Sequence, residues 1–379
     1  MITHQSIADS FRARYGVLPQ FVSRAPGRVN LIGEHTDYND GFVMPFALPH
    51  STWIAFTPRT DGVVKLHSID FNQTVAFSLS SLEKSTGWVE YVKGLAWALQ
   101  KRGQVLNGFE GIVQSDVPIG AGLSSSAAIE LASLYAFSTS SNFYLQALEA
   151  ALIAQQAERE WVGTNCGVMD QIISATGKLE HALFLDCRSL AFHYVSLANT
   201  AVIVVMDTGT RRSLKDSRYN ERRAECEAAT LYFQKKSLRD VSLEDLERAS
   251  LPDILKRRAR HVVSENQRVL QVATGSLDLV KIGYLLNESH QSLRNDFEVS
   301  SPALDTIVEI AQCEAGCYGA RMTGAGFAGC AIALVSREAS ERFIQSVEGR
   351  YRAAMPFTPA FFVAQASSGA TVEAVTSHE

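Results

Sequence analysis

The chain has 379 residues, 46% of them hydrophobic and 20% charged, and 35 Lys and Arg against 40 Asp and Glu leave a net charge of -5. That mixture fits a globular protein with room for two ordinary domains, and it excludes disordered, collagen-like and small disulfide-stapled chains. With no basic excess, binding by neutralising nucleic-acid phosphates is not expected.

The opening MITHQSIADSFRARYG lacks an apolar h-region, and no window approaches the ~18 apolar residues of a membrane helix. Neither secretion nor membrane insertion is therefore expected. The first third then reads mainly as strands: TWIAFT at 52–57, VVKLHS at 63–68, TVAFSL at 74–79 and FEGIVQS at 109–115. Each is short, β-branched or aromatic, and bounded by turn residues. Helices follow at 88–101, 124–137 and 144–161, the last with Leu145, Leu148 and Leu152 at the helical period. A strand pair, 182–186 and 191–197, precedes an expected boundary at 198/199.

The second half opens with the buried-strand run AVIVVM at 201–206 and continues through helices near 217–234, 253–274 and 277–291. Ser301-Pro302 predicts a helix start, Ser as N-cap and Pro at the first helical position, with the helix reaching about Glu314. Strands at 330–335 and 361–363 complete an α+β chain of two domains, 1–198 and 199–379, each a mostly antiparallel sheet with helices packed on it. The basic cluster Lys256, Arg257, Arg258 and Arg260 reads as a solvated helix face. The six cysteines form no CxxC and no zinc-finger spacing. Cys313 and Cys317, one turn apart in an apolar helical stretch, read as core filler, and a reduced cytoplasmic enzyme is expected.

Three segments carry chemistry. VPIGAGLSSSAAIELASLYAF, residues 117–137, runs a glycine-rich turn and three serines into a helix. Free N–H groups and the dipole at a helix N-terminus favour phosphate, and Ser hydroxyls donate to oxygens or coordinate Mg²⁺. It is not a Walker loop, since G-x-x-x-x-G-K-[ST] is absent. Gly324 to Gly329 match G-x-G-x-x-G, but they follow a helix and enter a strand, the reverse of a dinucleotide site.

RAPGRVNLIGEHTDYNDG, residues 24–41, gathers Arg28, Glu34, His35 and Asp37 on a glycine-punctuated turn. Carboxylates that accept hydrogen bonds suit a polyhydroxyl ligand. A metal site is the rival reading, although H-E-x-x-H spacing is lacking. In CGVMDQIISATG, residues 166–177, Asp170 stands within an apolar helical run, either as a cap or as a base. Glu158 borders the leucine stripe and reads as a solvated helical glutamate or a site residue.

Together these segments resemble the GHMP small-molecule kinases, the resemblance extending to MTGAGFAGC, FLDCRSL and DSRYNERR and so spanning essentially the whole chain. GRVNLIGEHTDYNDG is similar to the sugar-binding segment of the galactose-phosphorylating branch. The resemblance implies a ribosomal-S5-like α/β N-terminal domain and a ferredoxin-like C-terminal domain with the active site between them. It implies transfer of phosphoryl from ATP to the C1 hydroxyl of α-D-galactose, with Asp170 as general base and Arg28 beside it. Glu34, His35, Thr36, Asp37 and Tyr219 are then the sugar contacts. Gly120, Ala121, Gly122, Leu123, Ser124, Ser125 and Ser126 wrap the triphosphate, Ser68 touches the nucleotide, and Ser126 with Glu158 holds Mg²⁺. N-acetylgalactosamine, arabinose or mevalonate as acceptor, or sugar sensing without turnover, are the alternatives, and a monomer or weak dimer is expected. The third motif departs from the family's MTGGGFGG at Ala325 and Ala328, which are expected at ordinary negative φ.

Overall fold

In the computed structural model the described residues are 1–197, 199–211, 218–274 and 278–376, so residue 198, where the boundary was placed, and the expected helix starts at 217 and 277 lie outside them. The chain begins α1 (His4–Tyr15), β1 (Phe21–Asn30), β2 (Phe42–Val43), β3 (Pro45–Arg59), β4 (Val63–Ser68) and β5 (Gln73–Ser78). It continues through α2 (Val89–Lys101), β6 (Gly108–Ser115), α3 (Ser125–Ser140), α4 (Ala147–Gln156), α5 (Met169–Thr176), β7 (His181–Asp186) and β8 (Phe192–Ser196). The second half runs β9 (Ala201–Asp207), α6 (Arg218–Phe233), α7 (Leu243–Arg248), α8 (Asp253–Ala273), α9 (Leu279–Asn295) and α10 (Pro302–Gln312). It ends β10 (Cys317–Met322), β11 (Cys330–Ser336), α11 (Ser340–Ala354), β12 (Ala360–Ala364) and β13 (Thr371–Ala374).

Among the described residues three sheets form, in the orders β13-β1-β3-β6-β4-β5, β10-β11-β9-β12 and β2-β7-β8. All pairings are antiparallel except β4 with β6. The large sheet buries Phe56 and Phe109 against α2 and α3, with α4 and α5 closing the same core. The apolar run of β9 is buried at every position because it lies between β11 and β12 with both faces covered. Its alternate residues divide cleanly: Val202, Val204 and Met206 enter the core of the second half. Ala201, Ile203 and Val205 face a seam shared with Val29, Ile32, Phe46 and Leu123 from the first half. At about 1.5–3 kcal/mol for each fully buried aliphatic chain, that seam fixes the two halves against each other.

Several expectations change. The last strand, β13, pairs with β1, so a split at 198/199 leaves the C-terminal strand apart from the sheet it completes. Helix α10 starts as predicted, with the Ser301 hydroxyl accepting from Leu304 N–H, but it stops at Gln312. Cys313 is its exposed C-cap and Cys317 opens β10, so the two thiols share no helix, and only Cys317, half-buried, packs against the core of the second half. Arg258 is fully buried rather than solvated, and it donates to Glu225 and Glu298 at 2.7 Å each.

Candidate active site

A cavity of about 920 Å³ opens where the two halves meet. The sugar-type segment, the serine-rich loop, the N-terminus of α5 and the 324–329 loop all face it. β1 delivers Arg28 through a register shift between Pro26 and Arg28, an irregularity of the kind that re-aims a side chain beside a site. The serine-rich loop alternates left-handed residues, with φ +71° at Gly120, +82° at Gly122 and +61° at Ser124. Its neighbour, the 324–329 loop, packs on it backbone to backbone. A Cβ at Gly324 would stand 2.6 Å from the Gly122 carbonyl oxygen, which no side chain tolerates.

Asp170 occupies the first turn of α5. Arg28 donates to it twice, Nε to Oδ1 at 2.7 Å and Nη2 to Oδ2 at 2.8 Å, and the Ser124 hydroxyl donates to Oδ2 at 2.5 Å. All three partners are donors, the surroundings an accepting carboxylate needs. Ser124 therefore serves Asp170 and makes no side-chain cap on α3, contrary to the simple reading of a serine before a helix. The remaining Arg28 nitrogen donates to the Gly122 carbonyl at 2.5 Å, tying the base to the glycine loop. Burial would lower the Arg28 pKa, but the charges of Asp170 and Glu34 outweigh it and raise it.

Glu34 and His35 are buried and line the cavity, as do Asp37 and Tyr219. Glu34 Oε1 accepts from the Thr323 hydroxyl at 2.9 Å and from Gly324 N–H at 2.8 Å, with Arg321 ion-paired at 3.1 Å. His35, at φ +61°, places Nδ1 2.8 Å from the Tyr38 hydroxyl. Asp37 has its carboxyl pushed up to about 7, first by burial and then by the nearby charge of Asp170. Thr36 does not fit the expected role. Its hydroxyl lies 2.8 and 2.7 Å from the Gly33 and Phe42 carbonyls and is absent from the cavity wall, because it closes the turn that presents its neighbours.

Gly120, Gly122, Leu123, Ser124, Ser125 and Ser126 line the cavity, and so does Ser68. Ala121 does not: its methyl is fully buried in the seam between the halves, so only its backbone belongs to the loop. Glu158 lies on a π-helical turn, Ala157–Val162, an irregularity frequent at functional sites. The Ser126 hydroxyl lies close enough to lower the pKa of its carboxylate, which burial and the charge of Asp170 nevertheless push up to about 7. A hydroxyl and a carboxylate beside a phosphate loop match the sparse oxygen set by which Mg²⁺ is held when phosphates supply further ligands. Among the described residues no three His, Cys, Asp or Glu side chains form a complete metal cage.

Two buried residues behind the site, and three aromatic ones on its wall, escaped sequence reasoning. Gln171, next to the base, donates from Nε2 to Glu158 Oε2 at 2.6 Å and to Glu130 Oε2 at 3.2 Å. Glu130 is fully buried, and burial together with Glu158 raises its pKa well above the ordinary carboxyl range. A signal existed: Glu130 stands between Ala127 and Leu134 on the buried stripe of α3, where an unpaired acid is out of place. Phe71, whose N–H donates to the Ser68 hydroxyl, lines the cavity with Trp88 and Tyr91, and these rings suit a flat aromatic group.

Comparison with known proteins adds to this geometry. Residues 90–178 match the N-terminal domain of GHMP kinases and residues 270–353 the C-terminal domain. The chain has the two-domain α+β fold of a GHMP kinase. Residues 9–58 match the galactokinase galactose-binding signature. A galactokinase of Roseiflexus is 45% identical over 379 residues, 97% of each chain, and one of Chloroflexus aurantiacus is 45% identical over 90% of each. The crystal structure of Lactococcus lactis galactokinase complexed with galactose superposes with a TM-score of 0.93 at 37% identity, covering 97% of this chain and 99% of that one. Mevalonate kinase of Methanococcus jannaschii, with a TM-score of 0.65 at 20% identity over 92% of this chain and 98% of that one, shares the fold. Within the GHMP kinases, the chain belongs to the galactokinase family. Among the described residues no helix is long and apolar enough to cross a membrane.

Proposed function

We propose that this chain transfers the γ-phosphoryl group of ATP to the C1 hydroxyl of α-D-galactose, giving galactose 1-phosphate and ADP. The observation that carries the reading is the position of Asp170, held by Arg28 and Ser124 at the junction of the sugar segment and the glycine loop. Phosphoryl transfer asks for in-line positioning and neutralised charge more than for covalent chemistry. Glu34 and Asp37 accept hydrogen bonds from sugar hydroxyls and present C1 to Asp170. The glycine loop and the N-terminus of α3 hold the phosphates, and the base of the nucleotide stacks toward Trp88 and Phe71.

As the C1 oxygen forms its bond to phosphorus, the bond from phosphorus to the bridging oxygen breaks and ADP departs with the electron pair. The hydroxyl proton passes to Asp170. A carboxylate is a weak base for an alcohol, so its acceptance of the proton accompanies the commitment of oxygen to phosphorus. Arg28 offsets the negative charge gathered on Asp170 and on the moving phosphoryl. Ser126 and Glu158 are the residues that would hold Mg²⁺, which when bound neutralises charge on the phosphate oxygens.

The deciding experiment is ADP release measured with galactose, N-acetylgalactosamine, arabinose and mevalonate. Galactose as the preferred acceptor is the expected result. Galactose binding without ADP release would instead make the chain a sensor.

A further inference from the structure

The sugar segment is fixed from behind by α8, a helix that contributes no residue to the cavity wall. Between β1 and β2, residues 33–41 form a turn around one short 3-10 helix, Asp37–Asn39, in which Asn39 and Gly41 N–H both reach the Thr36 carbonyl. At its two ends, backbone groups are taken up by side chains of α8. His261 Nε2 lies 3.0 Å from the Glu34 carbonyl, Glu265 Oε1 accepts from Gly33 N–H at 2.9 Å, and Asn266 Oδ1 accepts from Phe42 N–H at 2.8 Å. Positions 261 and 265, four apart, share one helical face, and 266 follows on the adjoining side. All three side chains are buried and none lines the cavity.

The contact leaves no slack. A Cβ at Gly41 would come within 2.5 Å of Asn266 Oδ1, so the turn is pressed against the helix at that point. The α8 side chains are themselves fixed. The Ser289 hydroxyl and Arg268 Nε each donate to Glu265 at 2.7 Å, and Ser292 lies 2.9 Å from His261 Nδ1. Because a carbonyl only accepts, His261 carries its proton on Nε2, and Nδ1 takes the Ser292 hydroxyl's. A buried carboxylate, imidazole and amide cost free energy wherever apolar groups would serve, and they are repaid here as partners of the Gly33 and Phe42 N–H groups and the Glu34 carbonyl.

We propose that His261, Glu265 and Asn266 of α8 are positioning residues for the acceptor sugar, acting through the backbone of residues 33, 34 and 42. This inference rests on the assignment of Glu34 to the sugar. It separates the two substrates, because the glycine loop makes no hydrogen bond to these three side chains.

The test compares His261→Leu with His261→Gln, whose amide nitrogen can replace Nε2 as the donor to Glu34. The Leu variant should raise the KM for galactose about tenfold, the scale of one lost buried hydrogen bond, with the KM for ATP nearly unchanged. The Gln variant should return most of that loss. Equal changes in both KM values, no change in either, or a Gln variant no better than Leu would overturn the proposal. Should the Leu variant not fold, Asn266→Ala decides by the same galactose-against-ATP comparison. A parent enzyme that turned over another sugar and not galactose would refute the proposed substrate, and the positioning role would then be read on that sugar.

Discussion

Arg28 and Asp170 meet side-on, with Nε on Oδ1 at 2.7 Å and Nη2 on Oδ2 at 2.8 Å, although 142 residues of chain separate them. The pairing consumes two of the lone pairs of Asp170 and leaves the carboxyl 25% exposed, on the side that opens to the cavity. Its orientation is set by the protein before any substrate arrives. Asp170→Asn preserves size and partners on one side but cannot take up a proton. A fall in kcat on the order of 10² or more is expected, with galactose and nucleotide affinity by calorimetry largely retained. Turnover close to that of the parent would remove Asp170 from the chemistry.

Asp37 links sugar binding to pH. Burial and Asp170 hold its carboxyl up to about 7, against about 3.9 for an unperturbed Asp. A sugar hydroxyl that donates to Asp37 favours the ionised form, so galactose should bind more tightly as pH rises through 7. Calorimetry near pH 7 in buffers of different ionisation enthalpy should show protons released on binding. In Asp37→Asn both the release and the pH dependence should flatten. Folding shows the opposite trend: the native state keeps this proton where the unfolded chain has lost it, so the contribution of Asp37 to stability declines from about pH 4 to pH 7.

Ser126 and Glu158 both line the cavity and interact with each other there. Ser126→Ala and Glu158→Ala should each raise the Mg²⁺ concentration required for half-maximal rate, and Glu158→Ala should also weaken Mg²⁺-dependent nucleotide binding at equilibrium. Parent-like Mg²⁺ titrations in both variants would place the metal ligands elsewhere.

The regular elements were legible where period and composition agree, as in β9 and α10. β1 was not, because Arg24, Pro26, Gly27 and Arg28 read as a turn. Its strand character comes from pairing with β3 and β13, and its bulge accommodates Pro26 and Gly27. The motif residues were legible as types, but not which way each one faces. Thr36 and Ala121 sit inside motifs yet serve the turn and the seam, a distinction that depends on tertiary contacts. Glu130, Gln171 and the α8 trio were missed for a related reason. Each is a polar residue in a helix, and only packing from another part of the chain gives it a partner.

The 324–329 loop decides what its two alanines do. Gly324, Gly326, Phe327 and Gly329 have φ of +80°, +77°, +65° and +91°, while Ala325 and Ala328 are not among the positive-φ residues. The left-handed positions therefore fall on three glycines and on Phe327. Phe327 is held by its N–H to the Val299 carbonyl at 2.6 Å and by Arg218 4.2 Å over its ring. An alanine at ordinary φ restricts the unfolded chain without straining the folded one, which favours folding by about 0.4–1 kcal/mol relative to glycine. Ala325→Gly and Ala328→Gly should each lower Tm by about 0.5–1.5 °C. Both alanines line the cavity, but neither side chain carries a polar group, and the Ala325 carbonyl, 3.3 Å from His35 Nε2, survives the substitution. Thus kcat/KM for galactose should stay within a few-fold of the parent. A double variant that is clearly more stable, or clearly more active on galactose, would mean that the alanines strain the loop and narrow the site against this sugar.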